Sequence, residues 1–382
     1  MIYLDQAATS FPKPNEVVEA VARTLRNVPG SPGRSAHKGA LEASRIVFEA
    51  REGIASFIGA GDSSRVIFTS GATEALNLVL QGFLREGDRV LATGMEHNAV
   101  ARVLEALRRE RNIEVVYLPC DEEGSLKLDE CEKALRERPA RLFCLNLVSN
   151  VTGTIQPLHE IVALRGETPL LVDAAQAAGH LPLDVSALPV EFLAFSGHKG
   201  LFGPPGVGVL YIREGFEKDL RPLKFGGTGS RSESLEQPEF LPDRFECGTP
   251  NLPGIAGLAA GIDFIQKIGL MRLHRHETAL ADIFLEKIRS HPRVKIYGPK
   301  DRVKATAIVS LNIEGLSPSE VARQLDEEFD IAVRPGLHCA PLAHQTIGSF
   351  PQGTVRFSFG YFNRLAEVEK AAEALLAIAE RA

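Results

Sequence analysis

Cysteine is scarce in this chain. Its five residues (Cys120, Cys131, Cys144, Cys247 and Cys339) are odd in number and show no CxxC spacing. That argues against a disulfide framework or a zinc cluster, and for a reducing, cytoplasmic compartment. Long apolar runs are missing as well, and no stretch is long enough to span a bilayer, so no membrane partner is expected. The first residues, Met1-Ile2-Tyr3-Leu4-Asp5, lack the basic segment and apolar core of a secretory signal. There is no excess of positive charge: a net charge of −6 gives no support to nucleic-acid binding. Internal repeats and low-complexity segments are absent, and so is tryptophan, which decides nothing.

What is present is an ordinary globular composition, 44% hydrophobic and 24% charged, over 382 residues. That length favours two domains. We expect a large α/β domain over 15–258 and a small α+β domain made of 1–14 plus 259–382. From about residue 65 to 212 short apolar runs alternate with helical segments. The runs are Arg65–Thr69, Arg89–Ala92, Glu114–Leu118, Arg141–Leu145, Pro169–Val172, Glu191–Phe195 and Val207–Ile212. They predict a mostly parallel seven-stranded sheet. Residues 224–255, rich in Gly, Ser, Pro and charge, read as a long functional or interface loop. A long helical region, roughly 254–290, follows. Ala305–Ile313 and Thr354–Phe359 read as strands, and Ser317-Pro318-Ser319-Glu320 as a capping box. Leu365, Val368, Leu375, Leu376 and Ala379 should line one face of a terminal helix.

Two of the apolar runs end in chemistry. One finishes at Asp173, and the other leads into Ser196-Gly197-His198-Lys199-Gly200. Ligands of parallel sheets bind at the carboxyl ends of the strands. An Asp and a Lys delivered there match the needs of pyridoxal phosphate (PLP), with the Lys forming the Schiff base and the Asp keeping the ring nitrogen protonated. Thr69-Ser70-Gly71-Ala72-Thr73-Glu74 opens a helix and suits a phosphate. Gly203-Pro204-Pro205-Gly206 is no nucleotide loop, because no Gly-Lys-Ser/Thr follows. Met95-Glu96-His97-Asn98 puts His97 at the same sheet edge, either stacked on a cofactor ring or incidental to a helix cap near Asn98. Cys339 lies in the Gly/Pro-bounded loop Arg334-Pro335-Gly336-Leu337-His338-Cys339. It is either a nucleophile with its pKa lowered by Arg334 and His338, or a structural cysteine like the other four. Arg356 interrupts an apolar strand, facing solvent at an edge or buried as a two-pronged carboxylate partner.

Taken together and in order, these segments resemble the cysteine desulfurases of the class V (fold type I) aminotransferase superfamily. The resemblance runs nearly end to end. It takes in Tyr3-Leu4-Asp5-Gln6-Ala7-Ala8-Thr9, Ser70–Glu74, Met95–Asn98, Val148-Ser149-Asn150-Val151-Thr152-Gly153, Asp173–Gln176, Ser196–Lys199, Glu246-Cys247-Gly248-Thr249-Pro250-Asn251 and Arg334–Leu342. It implies that Lys199 is the Schiff-base lysine, Asp173 the pyridinium partner and His97 the stacking, proton-shuttling residue. Gln176 would reach the phenolate oxygen of PLP. Ala72, Thr73, Ser196 and His198 would hold the phosphate, joined by Thr249 from a second subunit of a homodimer. Asn150, Arg334 and Arg356 would bind the substrate, and Cys339 would take sulfur from L-cysteine, leaving alanine. The sulfur would then pass to an acceptor protein, as in iron–sulfur cluster assembly.

The run Arg-x-Gly-x-His-Cys-Ala looks like the group II branch, which includes selenocysteine lyases. Lys224–Phe245 is shorter than in many of its members. Gly33-Arg34-Ser35-Ala36-His37 matches the family only in part, so Arg34 and His37 carry no role. The rival readings are a selenocysteine lyase, another class V enzyme such as an aminotransferase with an incidental Cys339, and a non-catalytic scaffold retaining PLP.

Overall fold

The computed structural model describes every residue except Arg34. Seven strands form the main sheet: β1 (Val66–Thr69), β2 (Arg89–Thr93), β3 (Glu114–Leu118), β4 (Leu142–Asn146), β5 (Leu170–Asp173), β6 (Phe192–Ser196) and β7 (Gly208–Ile212). Their spatial order is β1-β7-β6-β5-β4-β2-β3. All are parallel except β7, which runs against both β1 and β6. These are the seven strands expected from the apolar runs, displaced by no more than one residue at either end. Every residue of β2, β4, β5, β6 and β7 is buried, which is why the runs are continuous rather than alternating. Leu91, Phe143, Val172 and Leu193 pack into the core on one face, and Val90, Leu142, Leu171 and Phe192 into the core on the other.

Parallel pairing levels the strand ends. Asn146 pairs with Asp173, and Asp173 with Ala194, so the loops after β4, β5 and β6 leave the sheet side by side. The turn after β1 reaches the same edge, and its approach requires Gly208: a Cβ there would sit 2.5 Å from the Cα of Gly71.

A second, antiparallel sheet orders Arg334–Gly336, Thr354–Ser358, Ile308–Ile313 and Val294–Tyr297. Val309, Leu311, Ile313, Val355 and Phe357 point into an apolar core shared with helices Leu270–Ile288, Pro318–Phe329 and Leu365–Arg381. The opposite face is polar and meets the loop after β4, where Ser310 and Arg356 bond the carbonyls of Val151 and Asn150. Ile2–Tyr3 pairs with Ile331–Ala332, and Leu4 joins that second core, so the N-terminal segment is tied to it.

The capping box at Ser317 and Glu320 forms as expected. Two sequence expectations need correction. The helical region after residue 250 is two helices, Leu252–Ile268 and Leu270–Ile288, bent by 83° at Gly269, whose φ of 91° breaks the ladder. On the terminal helix Leu365 is exposed; the buried stripe is Val368, Ala371, Ala372, Leu375, Ile378 and Ala379. Among the described residues no single helix is long and apolar enough to cross a membrane.

Candidate active site

A cavity of about 110 Å³ opens at the carboxyl edge of the main sheet. Ala72, Thr73, His97, Asn150, Asp173, Gln176, Ser196, His198 and Lys199 all line it. Nine residues named from distant stretches of sequence therefore share one space. Asp173, the last residue of β5, is buried and accepts from the Ala175 N–H at 2.9 Å. Burial raises its pKa, against the Ala175 bond and the charge of Lys199. Lys199 has its pKa lowered to about 8, chiefly by burial, with Asp173 opposing and Arg356 and Arg334 adding to the fall. An amine held there is a far better base at neutral pH than an ordinary lysine.

The phosphate end is built from the helix Ala72–Phe83. Its first N–H, on Ala72, donates to Ser196 Oγ at 2.9 Å, locking the turn after β1 to the end of β6. His198 lines the cavity with a buried, unpartnered Nδ1, and burial holds the ring neutral with a pKa of about 4. Gln176 gives one N–H of Nε2 to the Ala7 carbonyl at 2.9 Å. Its amide carries a second.

His97 both caps a helix and lines the cavity. It is itself the N-cap of the helix Asn98–Arg111, Nδ1 accepting from the Ala99 N–H at 3.0 Å, while the ring lines the cavity. An accepting Nδ1 puts the proton of the neutral ring on Nε2. Burial, then the charge of Lys199, lowers its pKa to about 4.

Arg356 is buried, which excludes a solvent-facing edge position. Nη2 donates to Asp5 Oδ1 and Nη1 to the Asn150 carbonyl, both at 2.8 Å, and Nε is buried without a partner. Arg334 stands opposite Arg356 in the strand register. Two paired cations repel, and Asp5 balances only one, so this face retains a positive charge suited to an anionic substrate. Asn150 donates Nδ2 to the His338 carbonyl at 2.7 Å, leaving Oδ1 buried and unpartnered. Part of its donor capacity thus holds the Cys339 loop rather than standing ready for substrate. Thr249 is exposed and lies outside the cavity, on a neighbouring groove of about 590 Å³ that also takes in Ser70, Glu74, Lys224 and Phe48.

Cys339 is exposed, with Arg334 Nη2 3.5 Å from its sulfur. Its neighbour His338 adds no second charge beside it. The His338 ring is buried against Thr354 at 3.0 Å, and burial followed by the charge of Arg356 drives its pKa down to about 2, so it carries no positive charge. Of the other cysteines, Cys131 and Cys144 are buried and Cys120 and Cys247 half-buried. Burial pushes Cys120 up to about 12 and Cys131 to about 11.

Sequence reasoning passed over two residues. Asp5 was quoted only within a motif, and nothing local marks it as the partner of Arg356, 351 positions away. Lys13 donates to Ser10 Oγ at 2.7 Å and to the His198 carbonyl at 2.8 Å. Thr9 Oγ1, Ser10 Oγ and the Ser10 N–H reach that same carbonyl, fixing the peptide ahead of Lys199. Arg34 lies outside the described residues. His37 caps the helix Lys38–Phe57, accepting from the Ala40 N–H.

A mostly parallel sheet with Asp and Lys at adjacent strand ends, and a helix N-terminus facing them, defines a PLP enzyme of fold type I. The chain matches the family described as Aminotransferase class-V over residues 2–371, and it belongs to that family. It is 36% identical to a probable cysteine desulfurase of Halalkalibacterium halodurans, over 98% of this chain and 92% of that one. It is 37% identical to another from Pyrococcus abyssi, over 97% and 92%. Among solved structures, the apo cysteine desulfurase of Thermococcus onnurineus NA1 superposes with a TM-score of 0.93 at 36% identity, covering 100% of this chain and 95% of that one. A cysteine desulfurase from Escherichia coli gives 0.89 at 29%, over 99% and 94%.

The cavity fits the cofactor of this family. Its orphaned His198 Nδ1 offers a donor for a phosphate oxygen, and the buried Asp173 carboxylate offers an acceptor for a protonated ring nitrogen. Lys199 supplies an amine in the same cavity.

Proposed function

We propose that this protein is a PLP-dependent cysteine desulfurase that converts L-cysteine to L-alanine and takes the sulfur onto Cys339. The observation that carries this reading is the exposed Cys339 sulfur 3.5 Å from the Arg334 guanidinium, on a loop clamped to the cavity by Asn150. PLP held by Lys199, Asp173 and the phosphate cup supplies an electron sink conjugated to the substrate's Cα.

The chain's own residues do the rest. Arg356, with its unpartnered Nε, and Arg334 receive the substrate carboxylate. The Lys199 amine removes the Cα proton, and Asp173 keeps the ring nitrogen protonated. His97, anchored through Nδ1, presents Nε2 for proton transfer. The Cys339 thiolate attacks the substrate sulfur. An S–S bond forms as the carbon–sulfur bond breaks, the electron pair left on Cβ takes a proton to become the methyl group, and the Lys199 ammonium returns a proton to Cα to give alanine. The persulfide sulfur then moves to an acceptor protein. Purified enzyme supplied with L-cysteine and a reductant should yield alanine and sulfide in equal amounts; a keto acid product would assign it to the aminotransferases.

Arg356→Lys should raise the cysteine KM. An ammonium cannot bond Asp5, the Asn150 carbonyl and a carboxylate as the planar fork does. Loss of one charged hydrogen bond is worth about 1.5–3 kcal/mol, or about ten- to a hundredfold. Steady-state kinetics check this; an unchanged KM removes Arg356 from substrate binding.

The homodimer reading rests on the groove. Thr249 lines that groove and not the cavity, and Leu41 and Phe48, seven residues apart on helix Lys38–Phe57, are 59% and 61% exposed. Apolar groups in that position suit a subunit contact that carries Thr249 to the partner's phosphate. Light scattering should give a dimer, and a monomer fully active at nanomolar concentration would contradict it. The scarce, unpaired cysteines support a reducing, cytoplasmic setting.

A further inference from the structure

His338 and Cys339 are consecutive non-glycine residues in the left-handed region, with φ of 48° and 58°. Such a pair persists only when its surroundings over-determine it. Here both carbonyls are held from the main sheet's edge: Asn150 Nδ2 bonds the His338 carbonyl at 2.7 Å, and the Asn98 N–H bonds the Cys339 carbonyl at 2.8 Å. A third hold comes from the His338 side chain, and its direction can be worked out.

Ser310 Oγ lies 2.6 Å from the Val151 carbonyl, which can only accept, so the single hydroxyl proton of Ser310 is spent there. Ser310 Oγ therefore accepts from Thr354 Oγ1 at 3.2 Å, which spends the proton of Thr354. Thr354 Oγ1 can then only accept from His338 Nε2 at 3.0 Å. The chain runs one way, from His338 to Thr354 to Ser310 to Val151. Thr354 and Ser310 are wholly buried, so no water substitutes for a missing link. With its proton on Nε2, the neutral ring has a bare Nδ1, which is buried and unpartnered.

We propose that His338 is a positioning residue for the sulfur-accepting step: its Nε2–H, at the head of this chain, holds the left-handed turn that sets the Cys339 sulfur beside Arg334. The proposal rests on the reading of Cys339 as sulfur acceptor. It gives His338 no part in proton transfer. A neutral donor of the same reach can therefore replace the ring, whereas an apolar ring of the same shape cannot.

The test compares His338→Phe, His338→Gln and Thr354→Val in the PLP-loaded enzyme, with kcat and KM for cysteine measured across pH. His338→Phe should lower kcat about tenfold or more through the lost buried bond, with KM unchanged. Thr354→Val, close in shape and independent of the histidine, should reproduce that loss, and the double variant should lose no more than either alone. His338→Gln should recover most of kcat with an unchanged pH profile. Should His338→Phe fail to fold, Thr354→Val carries the comparison. A glutamine variant as impaired as the phenylalanine one, or missing a limb of the pH profile, would assign the ring to proton transfer and overturn the proposal. So would wild-type kcat in Thr354→Val, or a loss confined to KM. Sulfide release undiminished in Cys339→Ser would instead sink the reading of Cys339, whatever the His338 variants do.

Discussion

Lys199→Ala is expected to leave a protein that folds and still takes up PLP through the phosphate cup, but lacks the absorption of the lysine Schiff base and does not turn over. Among the described residues no other lysine lines the cavity, so none there can replace the covalent attachment or the base. The lost proton-transfer role alone is worth about 10²- to 10⁴-fold in rate, and the lost attachment adds to it. The amine is suited to that role because burial lowers its pKa to about 8. As pH rises through that value the protonated fraction falls and the amine becomes free to accept a proton. Borohydride reduction followed by peptide mapping checks the assignment: label on the Lys199 peptide in the wild type and none in the variant. A reducible adduct at another lysine would contradict it.

The Asp173–Lys199 pair was legible because both residues end continuous apolar runs, and the fully buried strands of a parallel sheet carry such runs without alternation. The phosphate cup was legible for a similar reason, since Gly71 and Thr73 mark a helix start directly after a strand. Contacts between distant segments were not. Asp5 and Arg356 meet because Ile2–Tyr3 pairs with Ile331–Ala332 in the second unit, and no local pattern announces such a pairing. Sequence adjacency alone suggests that His338 helps Arg334 to lower the Cys339 pKa. The left-handed turn sends its ring into a buried polar chain instead. The bend at Gly269 was not legible because Gly254, Gly257 and Gly261 lie inside the helix before it, so one more glycine does not by itself mark a break.

Cys339→Ser is expected to bind PLP and cysteine as the wild type does, yet release no sulfide. A serine hydroxyl is too weakly acidic and too hard a nucleophile to take sulfur, whereas a cysteine sulfur 3.5 Å from the Arg334 guanidinium is soft enough to do so. Selenocysteine turnover should survive better, because its weaker carbon–selenium bond depends less on an attacking thiol. Steady-state sulfide assays with both substrates check the expectation. Retained cysteine desulfuration would return Cys339 to the structural role of Cys131 and Cys144.

The most direct measurement is intact-mass and peptide analysis of the enzyme after one turnover with L-cysteine and no reductant. The expected result is one added sulfur atom on the peptide containing Cys339, matched by one equivalent of alanine and removed by a thiol reductant. Alanine formed with no sulfur on Cys339, or sulfur found on another cysteine, would contradict the assignment of Cys339 as the sulfur acceptor.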